Sequence, residues 1–173
     1  MNIKRITSQY VVAEDRLRVA GVAEDGRALT LWLTQRLLNK LVATLCRGLE
    51  KHNGHSQNAG ASQGLRSHVE QSFAQQRAMA NFAYSAPVIA PVDSPQWRVD
   101  AADIAQGAGG VRLTFKGSED SQRAELTLSA PDLRQWLTIV FSQYKRAEWP
   151  THVWPDWMEE STQGRRSHSL ALH

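Results

Sequence analysis

"LTLWLTQRLLNKL", Leu29 to Leu41, is a strand that turns into a capped helix. Leu29, Leu31 and Leu33 alternate with Thr30 and Trp32, so the leucines share one face of an extended segment. Thr34 stands at the N-cap position, where its hydroxyl can accept from a free N–H of the first helical turn. Beyond it Leu37, Leu38, Leu41, Val42, Leu45, Cys46 and Leu49 fall on one helical stripe, and Gln35, Arg36, Asn39, Lys40 and Arg47 face away. Gly48 and Asn53-Gly54 mark the stop. Upstream, "IKRITSQYVVAEDRLRVAGV" predicts two strands with a turn at "AED", and Asp25-Gly26 predicts a hairpin into the leucine strand. The local order is three strands and then a helix.

The same order returns around "AELTLSAPDLRQWL", Ala124 to Leu137. "WRVDAADIA" is a weakly patterned strand, "QGAGG" a turn, and "VRLTF" a clean alternation with Val111, Leu113 and Phe115 on one face. Ser129 is the cap, with Pro131 in the first turn and Asp132 at the capping-box position. One fixed offset carries Leu31 to Leu126, Leu33 to Leu128 and Thr34 to Ser129. The same offset carries Leu38, Leu41, Val42, Leu45, Cys46 and Leu49 to Leu133, Trp136, Leu137, Val140, Phe141 and Tyr144. Two amphipathic helices can always be slid into agreement, but here the strands and caps already fix the offset. Leu37 opposite Asp132 is a departure.

These patterns predict an α+β chain of two tandem β-β-β-α repeats, each antiparallel sheet covered by its helix. Packed edge to edge or helix on helix, the repeats would form a pseudo-twofold internal dimer. The first repeat spans 1–52 and the second 97–148. Between them, 53–96 holds a Gly/Ser/Asn-rich loop, a helix over 65–82 with Leu65, Val69, Phe73 and Ala80 inward, and an extended stretch with Pro87, Pro91 and Pro95. Residues 149–173 form a tryptophan-rich segment and a polar tail with the pattern of disorder. The whole is expected to make one compact domain.

Composition narrows the function classes. Of 173 residues, 20 are Lys or Arg and 17 Asp or Glu, a formal charge of +3 with the two signs interspersed. That is milder than the concentrated basic stripe of a duplex-DNA binder. No apolar run is long enough for a bilayer, and the N-terminus lacks a signal-peptide pattern. The single cysteine excludes an internal disulfide. A cytoplasmic protein is expected.

No catalytic set emerges. His52 and His55 in "HNGH" have no further ligand at metal spacing, so no metal site is expected. Cys46 falls on the apolar stripe and reads as a small core residue. "QGAGG" lacks the Gly-Lys-Ser/Thr ending and the following helix of a phosphate loop. No cofactor is implied. The residues left for binding a partner are Trp32 with Arg16, Arg18 and Arg27 on the outer sheet side, and Trp149, Trp154 and Trp157 near the C-terminus. Trp149 and Trp154 are nevertheless first expected to fold back over an open edge of the core. The second repeat offers Glu125, Thr127 and Ser129 on the equivalent side, so the two outer faces differ chemically. The leading expectation is a non-catalytic protein-interaction or assembly module. An alternative is single-stranded nucleic-acid binding, for which the paired sheet-plus-helix layout resembles the PC4 and Whirly type of binder, with Trp32 and its arginines as a stacking platform. A small-molecule enzyme with its site between the repeats is the third reading.

Overall fold

Alternation and turn chemistry build the first strands as expected. In the computed structural model, which describes residues 1–53, 61–82, 85–107 and 109–159, β1 (Asn2–Val11), β2 (Arg16–Ala23) and β3 (Ala28–Leu33) form an antiparallel meander. Gly26, at φ 82°, makes the β2–β3 turn in a conformation that favours glycine, and its N–H donates to the Ala23 carbonyl. The helix α1 (Gln35–Asn53) follows, and the Leu37 N–H donates to Thr34 Oγ1 at 3.3 Å. After α2 (Ala61–Ala80) come β4 (Gln96–Arg98), β5 (Ala101–Gly107), β6 (Gly110–Lys116), β7 (Arg123–Leu128) and α3 (Ala130–Arg146). Ser129 caps α3 by accepting from the Asp132 N–H. The fold is mixed α+β with one seven-stranded sheet.

The strand order is β4-β3-β2-β1-β7-β6-β5. Two halves meet where β1 runs parallel to β7, with Asn2 opposite Glu125 and Ile3 opposite Leu126. A second parallel seam joins β3 to β4, with Trp32 opposite Arg98. Only Val99 and Asp100 separate β4 from β5. The Val99 N–H donates to the Trp32 carbonyl and the Asp100 N–H to the Lys116 carbonyl, both at 2.9 Å. The two edge strands are therefore one extended stretch, bonded first to β3 and then to β6. The sheet curls until its ends meet, which leaves little free edge to template aggregation. The "WRVDAADIA" strand is the piece that closes it.

The helices cover one face. Leu17, Val19, Leu29, Leu31, Leu33, Leu113, Phe115 and Leu126 meet the stripes of α1 and α3 in one continuous core. Polar bonds fix how the helices sit. The Trp136 indole N–H donates to Ser8 Oγ at 3.0 Å, and the Tyr144 hydroxyl donates to Asn39 Oδ1 at 2.8 Å.

The helix expected over 65–82 is α2, but three of the residues expected inward face out, and the side chain of Leu65 lies outside the described residues. Val69 and Phe73 are 43% and 67% exposed and Ala80 is exposed, whereas Gln71, Gln75 and Ala78 are buried. Because α1 and α3 already cover the sheet, α2 packs on those two helices as an outer layer. What it meets there is polar. Gln71 Nε2 donates to the Leu49 carbonyl near the C-terminal end of α1. Gln75 Nε2 donates to the Arg134 carbonyl and to Thr138 Oγ1, and Gln135 Nε2 donates to the Ala78 carbonyl. Amides four residues apart on one face suit those groups better than Val and Phe.

After α3 the chain reverses at Glu148, φ 56°. Trp149, Trp154 and Trp157 are all buried. Trp149 packs edge-on against Tyr10 and Tyr144, with ring centroids 5.3 and 5.1 Å away, and its N–H donates to Asp15 Oδ1. Trp154 meets Phe141 and Tyr144. The Trp157 N–H donates to Glu50 Oε1 at 3.0 Å, and the Arg134 guanidinium lies over its ring. His55 and the tail beyond Glu159 lie outside the described residues, as does the side chain of His52.

Candidate interaction surfaces

The outer face of the sheet, opposite the helices, carries Trp32 in a cross-strand row. Gln9 faces Arg18 on β1 and β2, Arg18 faces Trp32, and Trp32 faces Arg98 on β4. One aromatic ring therefore lies between two guanidinium-bearing residues in register. Arg18 donates to Gln9 Oε1 at 3.0 Å, Trp32 Nε1 donates to Gln96 Oε1 at 3.3 Å, and Arg98 pairs with Asp100 at 2.9 Å. Arg16 and Arg98 line one polar recess of about 360 Å³ with Ser118 and Gln122. Arg27, grouped with Trp32 from sequence, is not part of this row. It sits in the turn before β3, exposed and paired with Asp25 at 2.7 Å. Hydrogen bonds from the Arg27 backbone N–H and then from its guanidinium hold the Asp25 carboxyl below the usual range. Arg98, absent from the sequence reading, takes its place. Only the parallel β3–β4 seam brings Arg98 there, and no local pattern encodes that pairing.

On the outer face of β5–β7 two ion pairs form beside the exposed Arg112. Lys116 pairs with Asp103 and Arg123 with Glu125, whose carboxyl the Arg123 bonds hold low. Thr127 lies opposite Arg112 on this face. This face has no aromatic platform.

The helical side offers a different surface. Val69 and Phe73, four apart on α2, form an outward apolar pair, and Phe82 just past the helix is also exposed. Beneath them lies a buried cation. Arg134 is 5% exposed and donates to Gln71 Oε1 and Gln75 Oε1, and its pKa is lowered by the loss of solvent. The three C-terminal tryptophans are buried in the core. Cys46 is buried, and burial pushes its thiol up to about 12, so it is a poor nucleophile at neutral pH. Among the described residues no group of three or more His, Cys, Asp or Glu is placed to hold a metal. No described helix is long and apolar enough to cross a membrane.

No protein-family description matches this chain, and neither does any curated protein or solved structure.

Proposed function

We propose that the chain is a non-catalytic protein-interaction module that docks a partner through the outer face of α2. One observation carries the reading: α2 buries two glutamines and exposes Val69 and Phe73. A helix that served only as cover would turn its apolar pair inward. Contiguous apolar side chains left outside on a rigid, hydrogen-bonded helix are the usual anchors of an interface. In this reading the scaffold is two copies of one β-β-β-α unit about a pseudo-twofold axis. Both parallel seams join the first strand of one half to the last strand of the other, as exchange of the halves requires. A cytoplasmic setting belongs to the same proposal. A photoreactive amino acid at position 73 tests it, with the same group at exposed Arg112 as control. The expected result is one discrete adduct at 73, none at 112, and loss of the native complex in Phe73→Ala. Equal labelling at both positions, with a monomer in sedimentation, would overturn the reading.

A second reading rests on the row Arg18–Trp32–Arg98. A ring between two guanidiniums is what a single strand uses for stacking and phosphate contact. Titration with labelled oligonucleotide at two salt concentrations tests it, with Trp32→Ala expected to weaken binding about tenfold or more. Absence of binding at low salt removes this alternative.

A further inference from the structure

The helical layer has two ends bordered by the same kinds of element. At one end the last turn of α3, the end of β1 and the β1–β2 turn surround the Trp149 indole. Tyr144, Tyr10 and Asp15 hold it by two edge-on ring contacts and a hydrogen bond of 3.1 Å. At the other end the last turns of α1, the end of β5 and the β5–β6 turn border a cavity of about 290 Å³. Its floor is Leu45, Leu49, Val111 and Leu133. The matching of parts is close. Leu49 occupies the place on α1 that Tyr144 has on α3 under the offset set by the caps. At both ends a glutamine bridges helix to strand. Gln143 accepts from the Tyr10 N–H at 2.9 Å, and Gln106 of β5 lies against Gly48 of α1 so closely that a Cβ there would overlap it.

We propose that this cavity is a binding site for a small planar aromatic molecule, of the size and character of indole. Three observations select that class. The matching position at the opposite end takes an indole from the chain itself. The lining is mainly aliphatic and backbone, and four of its residues, Gly48, Gly107, Gly109 and Gly110, carry no side chain. The volume lies at the lower end of small-molecule pockets, about 300 Å³, and suits one or two fused rings rather than an extended ligand. Gln106 supplies a polar side chain to the lining, while the Ser129 hydroxyl there is engaged with Asp132 as the cap of α3. The site rests on the matched placement of the two ends and does not depend on docking through α2.

Indole itself is the probe. Titrated into the ¹⁵N-labelled full chain, it should give saturable shifts at about millimolar concentration, concentrated on the amides of Gly48, Gly107, Gly109 and Gly110. A Cβ at Gly109 meets nothing within 4 Å, so a side chain is accommodated there, and Gly109→Phe adds a ring at a residue that lines the cavity. It should weaken indole at least tenfold while the remaining spectrum is retained. Cyclohexanol, of similar bulk but not planar, should bind at least tenfold more weakly. Absence of saturable shifts in the native chain, equal shifts spread over the whole protein, or equal binding of cyclohexanol would overturn the proposal. Undiminished binding in a folded Gly109→Phe would overturn it as well. None of these outcomes bears on crosslinking at position 73, so the two readings fail separately.

Discussion

Helices α2 and α3 lie against each other, and both carry an apolar stripe, yet they use it in opposite ways. α3 buries Leu133, Trp136, Leu137, Val140, Phe141 and Tyr144 against the sheet. α2 turns Val69 and Phe73 to the outside and sets Gln71 and Gln75 against α1 and α3. The difference teaches that a stripe reports a helix with a preferred side, not where the core is. A helix laid directly on a sheet meets apolar pits. A helix laid on other helices meets backbone carbonyls and the polar residues of their backs, here Leu49, Arg134 and Thr138.

The largest expected effect lies on the α3 side. Phe141 is fully buried and stacks edge-on with Trp154. Phe141→Ala should cost about 3–5 kcal/mol through lost burial and the cavity left behind. Denaturant unfolding of both proteins measures it. A loss below about 1 kcal/mol would mean that the helix layer is not the core. Trp149→Ala should destabilise similarly, and added indole should restore part of the loss by refilling the cleft.

Next comes the polar seam between the two helices. Arg134→Ala leaves Gln71 and Gln75 with buried, unpartnered amide oxygens and should cost about 2–4 kcal/mol. The triple change Arg134→Met, Gln71→Leu, Gln75→Leu replaces the whole group by apolar side chains of similar size and should come much closer to the native stability. Stability equal in the single and triple variants would show that the seam contributes nothing as a network.

How much of this was legible in the sequence follows the same division. The strands, the caps at Thr34 and Ser129, and the stripes of α1 and α3 depend on neighbours along the chain, so periodicity revealed them. Burial of Cys46 was visible for the same reason, from its place on the apolar stripe of α1. The closure of the sheet through Gln96–Gly107 was not, because which edges meet depends on the length and path of the chain between halves. Arg98 was missed beside Trp32 for that reason, and Arg27, three positions after Glu24 in a turn, was included merely because it is near in sequence. The outward stripe of α2 was invisible because nothing local says that the sheet is already covered.

Cys46 gives a smaller effect. Its thiol is raised to about 12 in the folded chain and stands near 8.5 when unfolded. Below that unfolded value both states hold the proton, and the difference is silent. As pH rises above about 8.5 the unfolded chain releases the proton and the folded chain retains it, so stability falls by at most about 1.4 kcal/mol per pH unit from this group. Cys46→Ala should flatten the decline between about pH 8.5 and 10 relative to the native chain. Alkylation at pH 8 should track global unfolding, and fast labelling under native conditions would show that α1 opens on its own.

The smallest effect on stability belongs to the outward face of α2, where the functional consequence should be greatest. Phe73 is two-thirds exposed and supports no hydrogen bond of the seam beneath it. Phe73→Ala should change the unfolding free energy by no more than about 0.5 kcal/mol, and Phe73→Glu by little more. If Phe73→Ala instead cost as much as Phe141→Ala, the ring would be packed in the native protein, and α2 would be a second core helix. If stability held and the complex were lost, the contrast between the two helices would stand as one of roles. The stripe of α3 would then hold the chain together, and that of α2 would hold another molecule to it.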